Sequence, residues 1–127
     1  MYTDRTILNG LTEQIIGCAF TVANKLKTGF AEKVYENSLA IELRKNGVSV
    51  AQQVGVTVCY DGINVGDYTA DLLVESVILI ELKAVRALDP SHTAQCLNYM
   101  TATGLQLCLL LNFGNPRLEI RRLVNGP

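Results

Sequence analysis

The segment VILIELKAV, Val77 to Val85, begins as the kind of apolar run that packs a strand on both faces, and then carries Glu81 and Lys83. Burying a bare charge costs several kcal/mol, on the order of a domain's whole stability margin. Charges in such a place must be paired, neutralised or bound to a metal. Side chains two apart share one face of a strand, so Glu81 and Lys83 point one way while Ile78, Ile80 and Leu82 point the other.

What faces them depends on the preceding segment, TADLLV, where Asp71 is the one charge in an apolar run. A three-residue loop at Glu75-Ser76-Val77 pairs Val74 with Ile78 and Asp71 with Glu81, placing two carboxylates on one face within about 5 Å. A two-residue turn at Glu75-Ser76 instead sets Asp71 opposite Ile80 and sends Glu81 to the other face. In the first register the carboxylates repel unless a cation lies between them. Two hard oxygen donors suit Mg²⁺ or Mn²⁺, with water and substrate oxygens in the remaining positions.

Outward from this hairpin, the chain reads as helices, then strands, then a mixture. Leu11, Ile15, Ala19, Val22 and Leu26 recur at helical spacing, which predicts a helix over Asn9 to Leu26 capped by Asn9 or Thr12. Thr28-Gly29 breaks it, and a second helix is expected from Ala31 to Lys45, stopped by Asn46-Gly47. Alternation at Val54, Val56 and Val58, with Asp61-Gly62 as a turn, opens an antiparallel meander of strands near Val54 to Tyr60, Ile63 to Val74 and Val77 to Ala84. Pro90 and Ser91 start a third helix that ends at Gly104, and Leu105 to Phe113 and Leu118 to Val124 read as two more strands. The order α-α-β-β-β-α-β-β is α+β, or a small mixed α/β layer structure.

The 127 residues, 49% of them hydrophobic, suffice for one core, so a single domain over residues 1–127 is expected. A net charge of −1 provides no global basic field for non-specific nucleic-acid binding. Apolar runs such as Ile15 to Phe20 fall short of the roughly 20 residues a membrane span needs, and a soluble, cytoplasmic protein is expected. Cys18, Cys59, Cys96 and Cys108 form no CxxC pair and read as buried reduced thiols rather than zinc ligands.

A structural salt bridge from Lys83 to either carboxylate accounts for Asp71, Glu81 and Lys83 but not for two further segments. In HTAQCLNYM, Gln95 and Tyr99 are four apart on one helix face, where an amide and a phenol can hydrogen-bond phosphate oxygens or an attacking water. In GFAEKVYENSL, Glu32 and Tyr35 stand three apart at a helix start, where a carboxylate is favoured by the helix dipole.

Together these residues resemble the GxxExxY protein family. Gly29-Phe30-Ala31-Glu32-Lys33-Val34-Tyr35 matches its signature, and Asp71, Glu81-Leu82-Lys83 and Gln95 to Tyr99 follow in order. ADLLVE, ELKAV, AQCLNYM, ATGL and LLLNFG extend the match over nearly the whole chain, although VANKLKTG departs from the stretch that precedes the signature in many members. The family is similar to the PD-(D/E)xK nuclease superfamily, so a restriction-endonuclease-like fold is implied, with a mixed central sheet flanked by helices. The resemblance implies that Asp71 and Glu81 hold a divalent metal and that Glu32 reaches it directly or through water. Lys83 would orient the attacking water or stabilise charge on the phosphorane. Gln95 and Tyr99 would position metal and nucleic-acid backbone, and Tyr35 is expected beside the substrate.

The function the resemblance implies is a Mg²⁺- or Mn²⁺-dependent nuclease that hydrolyses phosphodiester bonds of DNA or RNA and, like its superfamily relatives, leaves a 5′-phosphate. A non-catalytic module that keeps the fold to bind nucleic acid or protein is the alternative, favoured by scarce basic clusters; Arg117, Arg121 and Arg122 are the one dense basic group. A domain this small offers little surface to a duplex, and a homodimer would supply more. The apolar LCLLLNF strand is either internal or a dimer edge.

Overall fold

The computed structural model describes residues 3–125. Its elements are α1 (Arg5–Leu26), α2 (Glu32–Lys45), β1 (Val50–Tyr60), β2 (Ile63–Val74), β3 (Ile78–Lys83), α3 (Pro90–Thr103), β4 (Leu107–Asn112) and β5 (Glu119–Val124). The five strands form one sheet in the order β1-β2-β3-β4-β5. All pairings are antiparallel except β3 with β4, which run parallel because α3 carries the chain back across the sheet between them. The sheet is therefore mixed, as the expected fold requires.

The two sheet faces follow from the period of two. Ile78, Ile80 and Leu82 on β3, with Leu107, Leu109 and Leu111 on β4, join the core built with α1 and α2. Leu79, Cys108 and Leu110 face the other way and pack on Cys96, Tyr99 and Met100 of α3. Every residue of β4 is buried, so LCLLLNF is internal to the sheet and not an edge. Glu81 and Lys83 share the parity of Leu79 and belong to the α3 face.

Three expectations change. The first helix begins at Arg5 rather than Asn9, and its cap is Asp4, whose Oδ1 accepts from the Thr6 N–H at 2.7 Å. Thr12 is buried inside the helix and donates its hydroxyl to the Leu8 carbonyl at 2.7 Å, so it caps nothing. Cys59 is exposed on β1, unlike the other three thiols. In α2 the apolar residues Val34 and Ile41 face solvent, while Tyr35, Leu39, Ala40 and Leu43 form its buried face.

Candidate functional site

The β2–β3 turn settles the register. Glu75 and Ser76 adopt left-handed conformations at φ 50° and 59°, and the Val77 N–H closes on the Val74 carbonyl at 3.0 Å. The three-residue loop pairs Val74 with Ile78, Leu73 with Leu79 and Leu72 with Ile80. One step further, Asp71 stands opposite Glu81, and the ladder gives way to side chains. The Asp71 N–H donates to Glu81 Oε1 at 3.3 Å, and the Leu82 N–H donates to Asp71 Oδ2 at 2.8 Å. Each carboxylate thus has an oxygen pinned by the other strand's backbone.

On its other side, β2 is equally irregular at this level. Gln52 pairs with Leu72 and Val54 with Ala70, and between them Gln53, opposite Asp71, sits at φ 54°. A left-handed conformation costs a non-glycine residue on the order of 1 kcal/mol or more. The Gln53 amide donates to Glu36 Oε1 at 2.8 Å, and Glu36, 3% exposed, also accepts from Lys33 Nζ at 3.0 Å and from the Gln52 amide at 2.8 Å. This cluster ties β1 to α2 and compensates the strain. No periodicity in the sequence signals it; a glutamate amid polar residues on α2 looks like surface.

Glu81 is 3% exposed, and its carboxyl is pushed up to about 9, first by burial and then by the Asp71 charge and a side-chain hydrogen bond with Asp71. Burial and the neighbouring Asp71 carboxylate both disfavour the ionised form of Glu81. Among the described residues no ion pair joins Lys83 to Asp71 or Glu81, so a structural salt bridge does not account for them.

Glu32 opens α2 and is itself exposed, yet its carboxyl meets the Ala84 backbone N–H. Partial desolvation raises its pKa above the ordinary carboxylate value, Lys83 pulls it down, and Asp71 adds to the rise. Glu32 thus lies within electrostatic reach of the Asp71 and Lys83 side chains. On α3, the Gln95 amide donates to Tyr99 Oη at 3.1 Å, and the Tyr99 phenol is raised by burial and then by the Glu81 charge. Asp71 and Glu81 thus face each other, Glu32 is linked to Asp71 and Lys83 electrostatically, and Tyr99, which Gln95 touches, is linked in the same way to Glu81 and Asp71.

Tyr35 does not join them. It is 0% exposed and stacks on Phe113 with centroids 4.9 Å apart, its Oη donating to the Lys27 carbonyl at 2.6 Å and accepting from the Phe30 N–H at 3.3 Å. It belongs to the α1–α2 side of the sheet, where it fixes the loop ahead of Glu32, so the expected place beside substrate is corrected to a core position. His92 completes the α3 cap, its Nδ1 accepting from the Asp89 N–H at 3.1 Å.

Asn112, also unmarked in the sequence reading, clamps the chain just past Lys83. Fully buried, it accepts from the Val85 N–H at 3.0 Å and donates to the Val85 carbonyl at 2.9 Å and to Glu119 Oε1 at 2.7 Å. Gly114 lies so close that an added Cβ would sit 2.3 Å from the Val85 oxygen. Together they hold the end of β3 that presents Lys83.

Among the described residues, no three His, Cys, Asp or Glu side chains converge as a ready metal cage. The donor set nevertheless fits a hard divalent cation. Mg²⁺ is commonly held by one or two carboxylates with waters completing the shell, and a cation between Asp71 and Glu81 would offset both the burial and the Asp71 charge that raise the Glu81 carboxyl. The thiols Cys96 and Cys108 are buried in the α3-facing core.

A mixed five-stranded sheet with helices on both faces, bearing an Asp on one strand and a Glu-x-Lys on the next, defines the class of restriction-endonuclease-like folds. The chain belongs to the PD-(D/E)XK nuclease superfamily, whose family model matches residues 9–123. Among solved structures it is similar to an alkaline exonuclease (LHK-Exo) from Laribacter hongkongensis, with a TM-score of 0.55 and 16% sequence identity over 99% of this chain and 73% of that one. That likeness concerns the fold. No curated protein sequence matches the chain. Among the described residues no helix is long and apolar enough to cross a membrane.

Proposed function

We propose that the chain is a nuclease of the GxxExxY type, hydrolysing phosphodiester bonds of DNA or RNA with Mg²⁺ or Mn²⁺. The observation that carries this reading is the Asp71–Glu81 pair, Glu81 buried and Asp71 half-buried, at the mouth of a sheet whose next strand residue on the same face is Lys83. A divalent ion bound there supplies Lewis-acid polarisation of the phosphate and a more acidic bound water.

The chain's own residues do the rest. Asp71 and Glu81 would hold the ion, Glu81 in its ionised form. Lys83, steadied from beyond by Asn112, keeps an ammonium beside the attacking water and offsets the charge that grows on the phosphate oxygens. Glu32 would support the ion directly or through a water, from its position on the Ala84 N–H. Gln95 and Tyr99 orient the phosphate from α3. Cytoplasmic location and a homodimer that widens the nucleic-acid surface belong to the same proposal.

The test is a cleavage assay on single-stranded and duplex DNA and RNA with Mg²⁺, Mn²⁺ or chelator. Metal-dependent cleavage that falls at least a hundredfold in Lys83→Ala and Asp71→Asn is expected, since each removes charge stabilisation of the transition state. Cleavage that survives in both variants would overturn the assignment.

A further inference from the structure

A groove of about 780 Å³ runs from the α3 end of the site along the β1–β2 hairpin, with Gln95 and Tyr99 on one wall and Thr57, Val65 and Tyr68 on the other. Not one of its lining side chains carries a charge. Such a surface does not attract a ladder of phosphates, which is bound by lysine and arginine. It offers instead aromatic faces, hydroxyls and amides, which suit the flat π-faces and polar edges of nucleobases.

Tyr68 is the outstanding feature. It is 55% exposed, whereas its neighbour Tyr99 is nearly buried, and the two rings lie 6.0 Å apart at 47°. The Tyr68 ring lies back over Gly66, where an added Cβ would approach its Cε2 to 3.3 Å. One ring edge is thus backed by protein while much of the ring stays open to the groove. Tyr99 and Gln95 belong both to the groove wall and to the set of site residues, which ties the groove to the candidate site.

We infer that this groove is a base-stacking subsite that selects unpaired nucleotides, Tyr68 stacking on a base adjacent to the phosphate held at the carboxylates. The inference rests on the nuclease reading for that phosphate. Bases inside a duplex already stack on their neighbours, so only a single strand, a frayed end or a flipped nucleotide presents a free face to Tyr68. A volume of this size lies within the range of small-molecule sites and accommodates a nucleotide.

The test measures binding of a fluorescein-labelled single-stranded oligonucleotide and of its duplex by anisotropy in Ca²⁺, with cleavage in Mn²⁺ followed separately. The wild type should bind the single strand more tightly than the duplex. Tyr68→Ala should weaken single-strand binding roughly tenfold, and Tyr68→Phe should retain it within about twofold, since stacking needs the ring and not the hydroxyl. Because Tyr68 is exposed, both variants should melt with the wild type, and that control separates loss of stacking from loss of fold. Equal binding by Tyr68→Ala and wild type, preference for duplex, or absence of single-strand binding would each overturn the subsite, as would a wild-type dimer that Tyr68→Ala converts to monomer. If Tyr68-dependent binding persists without cleavage in Mn²⁺, the subsite stands and the nuclease reading falls. Cleavage indifferent to Tyr68 has the opposite meaning.

Discussion

Asp71 donates its own backbone N–H to Glu81 Oε1 at 3.3 Å, across a point where the β2–β3 ladder has ceased to pair. The strand thus gives up a main-chain bond at the level where two carboxylates face each other. Leu82 repeats the exchange in the other direction, donating to Asp71 Oδ2 at 2.8 Å. Both acids are held by backbone, which fixes their position before any ligand arrives.

This arrangement makes the metal-free protein sensitive to base. Glu81 ordinarily titrates near 4.5 and is raised to about 9 in the fold, so between those values the native state holds a proton that the unfolded chain has released. The stability from its protonated form is fully present below about 4.5 and is lost as pH rises through about 9. In chelator, urea unfolding should show stability falling by on the order of 1 kcal/mol per pH unit across that window. Glu81→Gln should flatten the profile, and a profile equally steep in the variant would remove Glu81 as its source.

The Glu36 cluster should be a stability element with no part in chemistry. Glu36→Ala leaves the Gln53 amide and Lys33 without their acceptor, the Gln52 amide with Asn37 alone, and the Gln53 backbone without the contact that compensates its φ of 54°. A loss of about 3 kcal/mol is expected in denaturant titration. Glu36→Gln, which keeps an acceptor oxygen, should lose less.

Tyr35→Phe isolates what the signature tyrosine does. The ring stacked on Phe113 remains, while the Lys27 carbonyl and Phe30 N–H lose the hydroxyl. About 1 kcal/mol of stability should disappear, with nuclease activity largely retained. An activity loss of a hundredfold without a change in stability would return Tyr35 to the substrate side.

Gly114→Ala should be among the most damaging single-methyl changes. The new Cβ would lie 2.3 Å from the Val85 oxygen and 2.4 Å from its nitrogen, both backbone atoms that no rotamer change can move. The expected cost is about 3 kcal/mol or more, read as a fall in melting temperature.

Much of this fold is legible in the sequence because its signals are local. Alternation in β1, the Pro90 start and Gly104 stop of α3, and the apolar runs of β3 and β4 each carry their own period or punctuation. The Asp71–Glu81 register could be narrowed to two loop lengths but not chosen, since left-handed backbone at Glu75 and Ser76 is not a preference of those residues. The Asp4 cap carries no apolar signal, because the apolar pattern begins later than the helix. Spacing sets Tyr35 near Glu32 and the resemblance implies a place beside substrate, yet its ring is taken up by Phe113, a contact across 78 positions that no local pattern contains. Gln53 and Asn112 escaped for the same reason: their roles are set by partners on other elements.

The most direct measurement is the melting temperature with and without Mn²⁺ or Mg²⁺, in the wild type and in Glu81→Gln. An ion at a hundred times its dissociation constant adds roughly 2.7 kcal/mol, several degrees for a domain of this size. If Asp71 and Glu81 form a metal site, the wild type shifts upward, more at pH 8 than at pH 6 because Glu81 must ionise, and Glu81→Gln does not. A wild type unmoved by millimolar metal at either pH, or an equal shift in Glu81→Gln, would contradict a preformed metal site and favour a non-catalytic module on the same fold.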